Sequence, residues 1–237
     1  MNDDIWPDLA LKESIKMLRE SNHFSIIDIG AHYGETFETI AKNIKSKITY
    51  FGLEPDPDTY KIFLESVSKN DNHHVDLKAL NLAAGPTSGE LDFIKTKADA
   101  VSGLLKPQEG LSERVPSGDH EILDIFKVKV TTIDEIIDTE KVSIDLLKVD
   151  AEGYDLQCLE GCKKSLENKL IDVIMCETFF VKYRQGQSYF WDIAKFLESY
   201  GYLFHNIFGN RNTGQGRLYT ANGIWVSPKI AKEKNFL

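Results

Sequence analysis

Apolar residues recur along this chain in two rhythms: short runs that predict buried strands, and three-to-four spacings that predict amphipathic helices. Leu11, Ile15 and Leu18 share one helical face and predict a leading helix within residues 1–22. A strand over 24–29 follows, then a glycine-containing turn and a helix over about 36–44. The unit repeats as a strand over 48–53, a helix over 58–68 and a strand over 75–82. A hairpin-like element is expected around 89–94. The pattern then fades through 95–126, a stretch containing Pro107, Gly110, Pro116 and Gly118. An irregular segment of that length is read as a lid or acceptor wall, with a surface loop as the alternative. Regularity returns with a strand over 127–132, a short helix around 134–137 and a strand over 144–149. Leu156, Leu159, Cys162 and Leu166 then line one face of a helix, and a strand over 171–176 follows. Tyr189, Phe190, Ile193, Phe196, Leu197 and Tyr200 mark an amphipathic helix stopped by Gly201, and closing strands lie near 202–207 and 223–226. This alternation predicts one α/β domain over 1–237: a mostly parallel sheet of about seven strands, helices on both faces, and a C-terminal antiparallel hairpin.

Composition supports a packed globular fold, with 237 residues, 42% hydrophobic and 27% charged. A formal net charge of −9 and the lack of a basic run remove the long-range attraction that a phosphate backbone needs, so nucleic acid is not an expected partner. The first residues carry Asp3, Asp4, Asp8 and Glu13 in place of a basic, apolar leader, and no run has the length to cross a bilayer. A cytoplasmic protein without membrane insertion is the expectation. Three cysteines, an odd count, suit reduced thiols in that compartment. Cys158 and Cys162 lack a second ligand pair and read as packing; His73, His74 and His205 add no ligand set, so no metal is expected.

Candidate chemistry begins at Asp28-Ile29-Gly30-Ala31-His32-Tyr33-Gly34, where an acid ends a buried strand and two glycines shape the turn after it. In a doubly wound sheet, ligands bind at this point. A dinucleotide fingerprint needs Gly-x-Gly-x-x-Gly; here His32 takes the second glycine position and would crowd a pyrophosphate. S-adenosylmethionine has no phosphate and two cationic centres, and Asp28 is placed to favour its ammonium. About twenty residues on, Glu54 ends the second strand in Gly52-Leu53-Glu54-Pro55, where an acid accepts hydrogen bonds from a ribose diol. A helix-capping role for Glu54 is the plainer alternative. Asn81, Leu82 and Ala83 end the third strand beside the expected adenine position.

With Leu146-Leu147-Lys148-Val149-Asp150-Ala151-Glu152-Gly153-Tyr154-Asp155-Leu156-Gln157-Cys158-Leu159-Glu160-Gly161 added, the chain resembles the FkbM family of class I methyltransferases over about 24–226. Thr131-Thr132-Ile133-Asp134 and Glu177 extend the resemblance; His32 departs from it where asparagine is usual, and Asp155 where glutamate is common. The resemblance implies a Rossmann-like fold, S-adenosylmethionine as cofactor, and O-methylation of a hydroxyl on a sugar, a glycan or a natural product. The implied partner is a small-molecule or glycan acceptor. It also places Ser102 near the cofactor. Lys148 and Asp150 lie two apart on a strand and share a side, Glu152 opens the loop beyond, and Glu177 follows the neighbouring strand, so the four are expected to converge as the chemical site. Asp150, Glu152 and Glu177 are each candidates to accept the hydroxyl proton, His32 is a further one, and a structural ion-pair cluster is the competing explanation. Phe179, Phe180, Tyr183, Tyr189, Phe190 and Trp191 offer rings for a sugar, although the spacing of the last three also suits core packing. Methylation of a non-sugar hydroxyl or amine, cofactor binding without turnover, and an NAD-dependent enzyme are the remaining alternatives.

Overall fold

The computed structural model describes residues 8–69, 72–109 and 120–236. Asp3, Asp4, Gly110, Pro116 and Gly118 lie outside them. The main sheet has the order β3-β2-β1-β7-β8-β10-β9, with β1 His23–Ile29, β2 Lys47–Leu53, β3 Val75–Leu80, β7 Ile144–Val149, β8 Ile171–Phe179, β9 Leu203–Asn212 and β10 Leu218–Val226. The first five are parallel, and β10 pairs antiparallel with both β8 and β9. The expected seven strands and closing hairpin are therefore present. Among the described residues, no helix is long and apolar enough to cross a membrane.

Alternation along the central strands divides the core into two layers. Ile26, Ile48, Leu146 and Val173 face one side, where α1 Asp8–Met17, α2 Glu35–Asn43, α3 Pro57–Ser68 and α8 Pro228–Glu233 pack through Leu11, Ile40, Phe63 and Ile230. Ile27, Leu147 and Ile174 face the other, covered by α4 Ile133–Glu140, α5 Asp155–Glu160, α6 Lys163–Glu167 and α7 Phe190–Ser199. Strands buried on both faces explain their near-continuous apolar runs. Helix starts follow their sequence signals: Asp56 caps α3 ahead of Pro57, and the Thr132 side chain accepts from the Glu135 amide at the head of α4.

Two expectations are corrected. The helix drawn through 156–166 is broken at Gly161 and Cys162 into α5 and α6. The segment 95–126 is not irregular throughout: β5 Gly89–Thr96 pairs antiparallel with β6 Ile122–Thr131, and β6 also pairs with β4 Ala83–Ala84, making a second, three-stranded sheet. Ile122, Leu123 and Ile125 are exposed, so the start of β6 lacks the alternation of a half-buried strand and is held by its ladder to β5.

At the α5–α6 break, a Cβ on Gly161 would stand 2.2 Å from the Gly85 carbonyl oxygen, a backbone atom with no rotamer to change. Gly161→Ala is expected to cost about 1–3 kcal/mol, the range for overpacking, measured by urea denaturation; an unchanged midpoint would contradict this close approach.

Candidate functional site

Asp28 and Lys148 face each other directly in the β1–β7 register. Lys148 Nζ lies 3.0 Å from Asp28 Oδ1 and donates to the Gly30 carbonyl at 2.9 Å, while Tyr50 Oη donates to Asp28 Oδ2. Asp28 is fully buried and lies behind the cavity wall, where its carboxylate is engaged by the lysine and the tyrosine. Burial pushes the Asp28 carboxyl up, and Lys148 and Tyr50 oppose that push. For Lys148, burial works against the charge, but Asp28 and then Asp150 outweigh it and hold the ammonium above its usual range. A lysine so held keeps its proton and positions the loop. Gly30 is required here, since its φ is +75° and a Cβ would meet the Asp150 carbonyl oxygen at 2.1 Å.

A cavity of about 350 Å³ opens over the carboxyl ends of β1, β2, β7 and β8. Gly30, Ala31, His32, Glu54, Pro55, Leu82, Ala83, Ser102, Lys148, Asp150, Glu152 and Glu177 line it, which brings together most of the residues singled out from the sequence. Gly34 and Asn81 are exceptions. Gly34 caps α2, and the Asn81 amide donates to the Glu54 and Pro55 carbonyls at 2.8 and 3.1 Å, so its donors brace the β2 turn. Glu54 accepts from the His32 and Asp56 amides at 3.1 and 2.9 Å, and its burial raises the carboxyl to about 7. The Ser102 hydroxyl accepts from the Thr96 amide at 3.0 Å.

His32 takes a left-handed backbone, φ +47°, and sits between Glu35 at 3.2 Å and Asp99 at 3.8 Å. Burial disfavours its charge, but Glu35 and Asp99 prevail and raise the imidazole above its ordinary value, which weakens it as a proton acceptor.

At the other end, carboxylate oxygens of Asp150, Glu152 and Glu177 lie within 4.8 Å of one another, close enough to surround one cation. Asp155 holds the turn beneath them by accepting from the Ala151 and Gly153 amides, and burial raises it to about 8. Glu152 is pinned by Arg184 at 2.6 Å. Glu177 is 5% exposed; Thr220 donates to Oε1 at 3.2 Å, and Oε2 has no hydrogen-bond partner among the described residues. Burial and then the charges of Asp150 and Glu152 raise its carboxyl well above the usual range. Phe179, Tyr183 and Tyr219 close this end as a stacked set, with centroids 5.0 and 6.2 Å apart. Phe180, Tyr189, Phe190 and Trp191 are not part of the lining: Phe180 stacks on Phe190, and Tyr189 on Trp191. Arg211, Tyr219 and Thr220 were missed, because they stand outside the motif segments and reach the cavity only through the pairing of β10 with β8 and β9; Arg184, in the loop after β8, was missed too and touches the cavity wall through Glu152.

A doubly wound sheet with β1 at the crossover and a cavity over its carboxyl edge defines the Rossmann-like class I methyltransferase fold. Residues 28–204 match the methyltransferase FkbM domain, and the chain belongs to that family; its cofactor is accordingly S-adenosylmethionine. No curated protein matches the sequence. Among solved structures, methyltransferase FkbM from Methylobacillus flagellatus KT is similar with a TM-score of 0.55 and 18% identity, covering 88% of this chain and 45% of that one. Small RNA methyltransferase HEN1 gives a TM-score of 0.53 at 10% identity, covering 93% and 25%. Precorrin-6y C5,15-methyltransferase from Geobacter metallireducens GS-15 gives 0.50 at 13%, covering 95% and 91%. At these identities the likeness speaks for the fold, and the chain spans less than half the length of the FkbM structure it matches.

Asp28→Ala would leave the Lys148 ammonium buried with only Asp150, at 3.6 Å, as counter-charge. A loss of about 3–5 kcal/mol in urea denaturation is expected, the range for breaking a buried pair; wild-type stability would contradict the anchoring role.

Proposed function

We propose that the chain transfers the methyl group of S-adenosylmethionine to a hydroxyl of a sugar, a glycan or a glycosylated metabolite. One observation carries this: Glu177 Oε2, a buried carboxylate oxygen with no donor among the described residues, lines a cavity whose adjoining wall is the aromatic set Phe179, Tyr183 and Tyr219. Aromatic faces suit a sugar ring, and an unpartnered acceptor suits its hydroxyl.

The cavity suits the cofactor. Its wall carries Glu54, Asp56, Asp150, Glu152 and Glu177, and its lysine is already committed to Asp28, so it favours a cation over a pyrophosphate. Glu54 would hold the ribose hydroxyls, Leu82 and Ala83 the base, and Gly30, Ala31 and Asp150 the amino-acid end. When bound, the cofactor supplies a methyl group on a good leaving group, so holding the acceptor oxygen in line supplies much of the catalysis. Of the three clustered acids, Glu152 is occupied by Arg184 and Asp150 stands 3.6 Å from Lys148, which leaves Glu177 to orient the acceptor hydroxyl and take its proton. Positive charge arriving beside the cluster favours its ionised form, so its capacity to accept a proton rises as the cavity fills.

Glu177→Gln keeps the shape and removes the base. It is expected to bind S-adenosylhomocysteine within about twofold of wild type while transfer of labelled methyl to fractionated cell extract falls about 10²-fold or more; undiminished transfer would remove Glu177 from the mechanism. Label entering only non-glycosylated material would overturn the sugar assignment.

Glu54 gives a pH signature. It titrates near 7 in the free protein, and hydroxyl donors stabilise only its ionised form, so binding expels the proton. S-adenosylhomocysteine affinity, followed by calorimetry, is expected to be full above about pH 8 and to fall by up to about tenfold per pH unit below 7. Glu54→Gln should flatten the profile. A flat wild-type profile would take Glu54 out of the binding set.

A further inference from the structure

Arg184 is fully buried although it sits in the loop after β8, and its guanidinium is shared between two parts of the cavity wall. Nη2 bonds Glu152 Oε2 at 2.6 Å and also the Val101 carbonyl; Nη1 reaches the Leu105 carbonyl at 3.3 Å. Val101 belongs to a 3-10 turn at Asp99–Val101, and Val101, Ser102, Gly103 and Leu104 form one side of the cavity.

The arginine is itself fixed from behind. Gln187 Oε1 accepts from the Tyr183 and Arg184 amides at 2.7 and 2.5 Å, and the guanidinium lies 5.1 Å over the Tyr183 ring. Backbone bonds continue the seam: Gln108 donates to Tyr183 at 3.0 Å and Gln185 to Lys106 at 2.9 Å. Removing the guanidinium would free a part-buried carboxylate and two part-buried carbonyls at once, and a group left unsatisfied away from water costs more than its hydrogen bond contributed. Lysine carries the charge but lacks the planar fork that serves several acceptors together.

We propose that Arg184 is a positioning residue that clamps the 99–105 strap to Glu152, so that the side wall of the cavity and one of its acids are held by a single group. This rests on the methyl-transfer assignment for its catalytic meaning; the clamp itself is a matter of the chain alone. Glu152 has φ +52°, and Gly103 approaches it so closely that a Cβ on the glycine would stand 3.2 Å from Glu152 Cβ, so the strap runs beside the acid. A strap held this way would slow the escape of whatever the cavity encloses.

Hydrogen exchange of the full chain tests it at Val101 and Ser102, whose amides donate to Ala98 and Asp99, at Gly103, whose amide donates to Ile94 of β5, and at Gln108. In Arg184→Met these amides are expected to exchange at least about tenfold faster while β7 amides stay within about twofold, because a charged hydrogen bond is lost locally. Arg184→Lys should fall between. Dissociation of S-adenosylhomocysteine, followed by stopped flow, should accelerate in the same order. Glu152→Gln should loosen the same amides, and adding Arg184→Met to it should contribute little more, the non-additivity expected of two groups acting through one contact. Wild-type exchange in Arg184→Met, or additive effects in the double variant, would overturn the clamp. If Arg184→Met does not fold, Arg184→Lys and Glu152→Gln carry the same comparison. Failure of the wild-type protein to bind S-adenosylhomocysteine would count against the methyl-transfer assignment and leave the exchange result standing.

Discussion

The site is built around one buried charge pair. Asp28 and Lys148 occupy opposed positions on the two strands that flank the crossover of the sheet, and the lysine reaches past the carboxylate to the Gly30 carbonyl. It thereby fixes the first turn to the end of β7, while Gly30 itself packs against Asp150 with no room for a side chain. Burying two charges is costly in isolation, and the geometry compensates with Tyr50 on the acid and two carbonyls on the base. The consequence is positional: wherever Lys148 stands, the loop, Asp150 and the opening between them follow.

Negative charge is the second organising constraint. Asp150, Glu152 and Glu177 would repel one another strongly in a dry cavity, and each meets that in a different way: Asp150 with Lys148 nearby, Glu152 with Arg184, Glu177 by a raised affinity for a proton. Three carboxyls of the same chemistry thus acquire three roles from their surroundings. His32 shows the same principle with the sign reversed, since flanking acids favour its charged form.

Much of this was legible in the chain. Apolar runs located the seven strands, the glycine turn and Glu54 located the carboxyl edge, and the segment from Lys148 to Glu152 located the acids. What stayed hidden depends on contacts between distant strands. That a lysine engages Asp28 shows only once β7 is placed beside β1. Asn81 reads as an adenine contact until its amide is found on the carbonyls of Glu54 and Pro55. Arg184 lies in a loop with no periodicity, and its only signal was a lone arginine following Tyr183 beside an apolar strand. The strand over 127–132 was legible, but the first half of β6 was not, because Ile122, Leu123 and Ile125 face outward, so pairing with β5 and not burial makes that part of the strand.

The β1–β7 junction also bears on how the chain comes to be folded. Lys148 and the Ile29 carbonyl it reaches are 119 positions apart, and Glu177 waits a further 43 residues for Thr220. Central strand pairing of this kind is slow, because a long loop must close before any contact rewards it. During synthesis, β1 would leave the ribosome with one of its two neighbours still unmade, an open apolar edge awaiting β7. The cavity would be complete only when β10 arrives, so ligand could stabilise the fold late but could not guide its early steps.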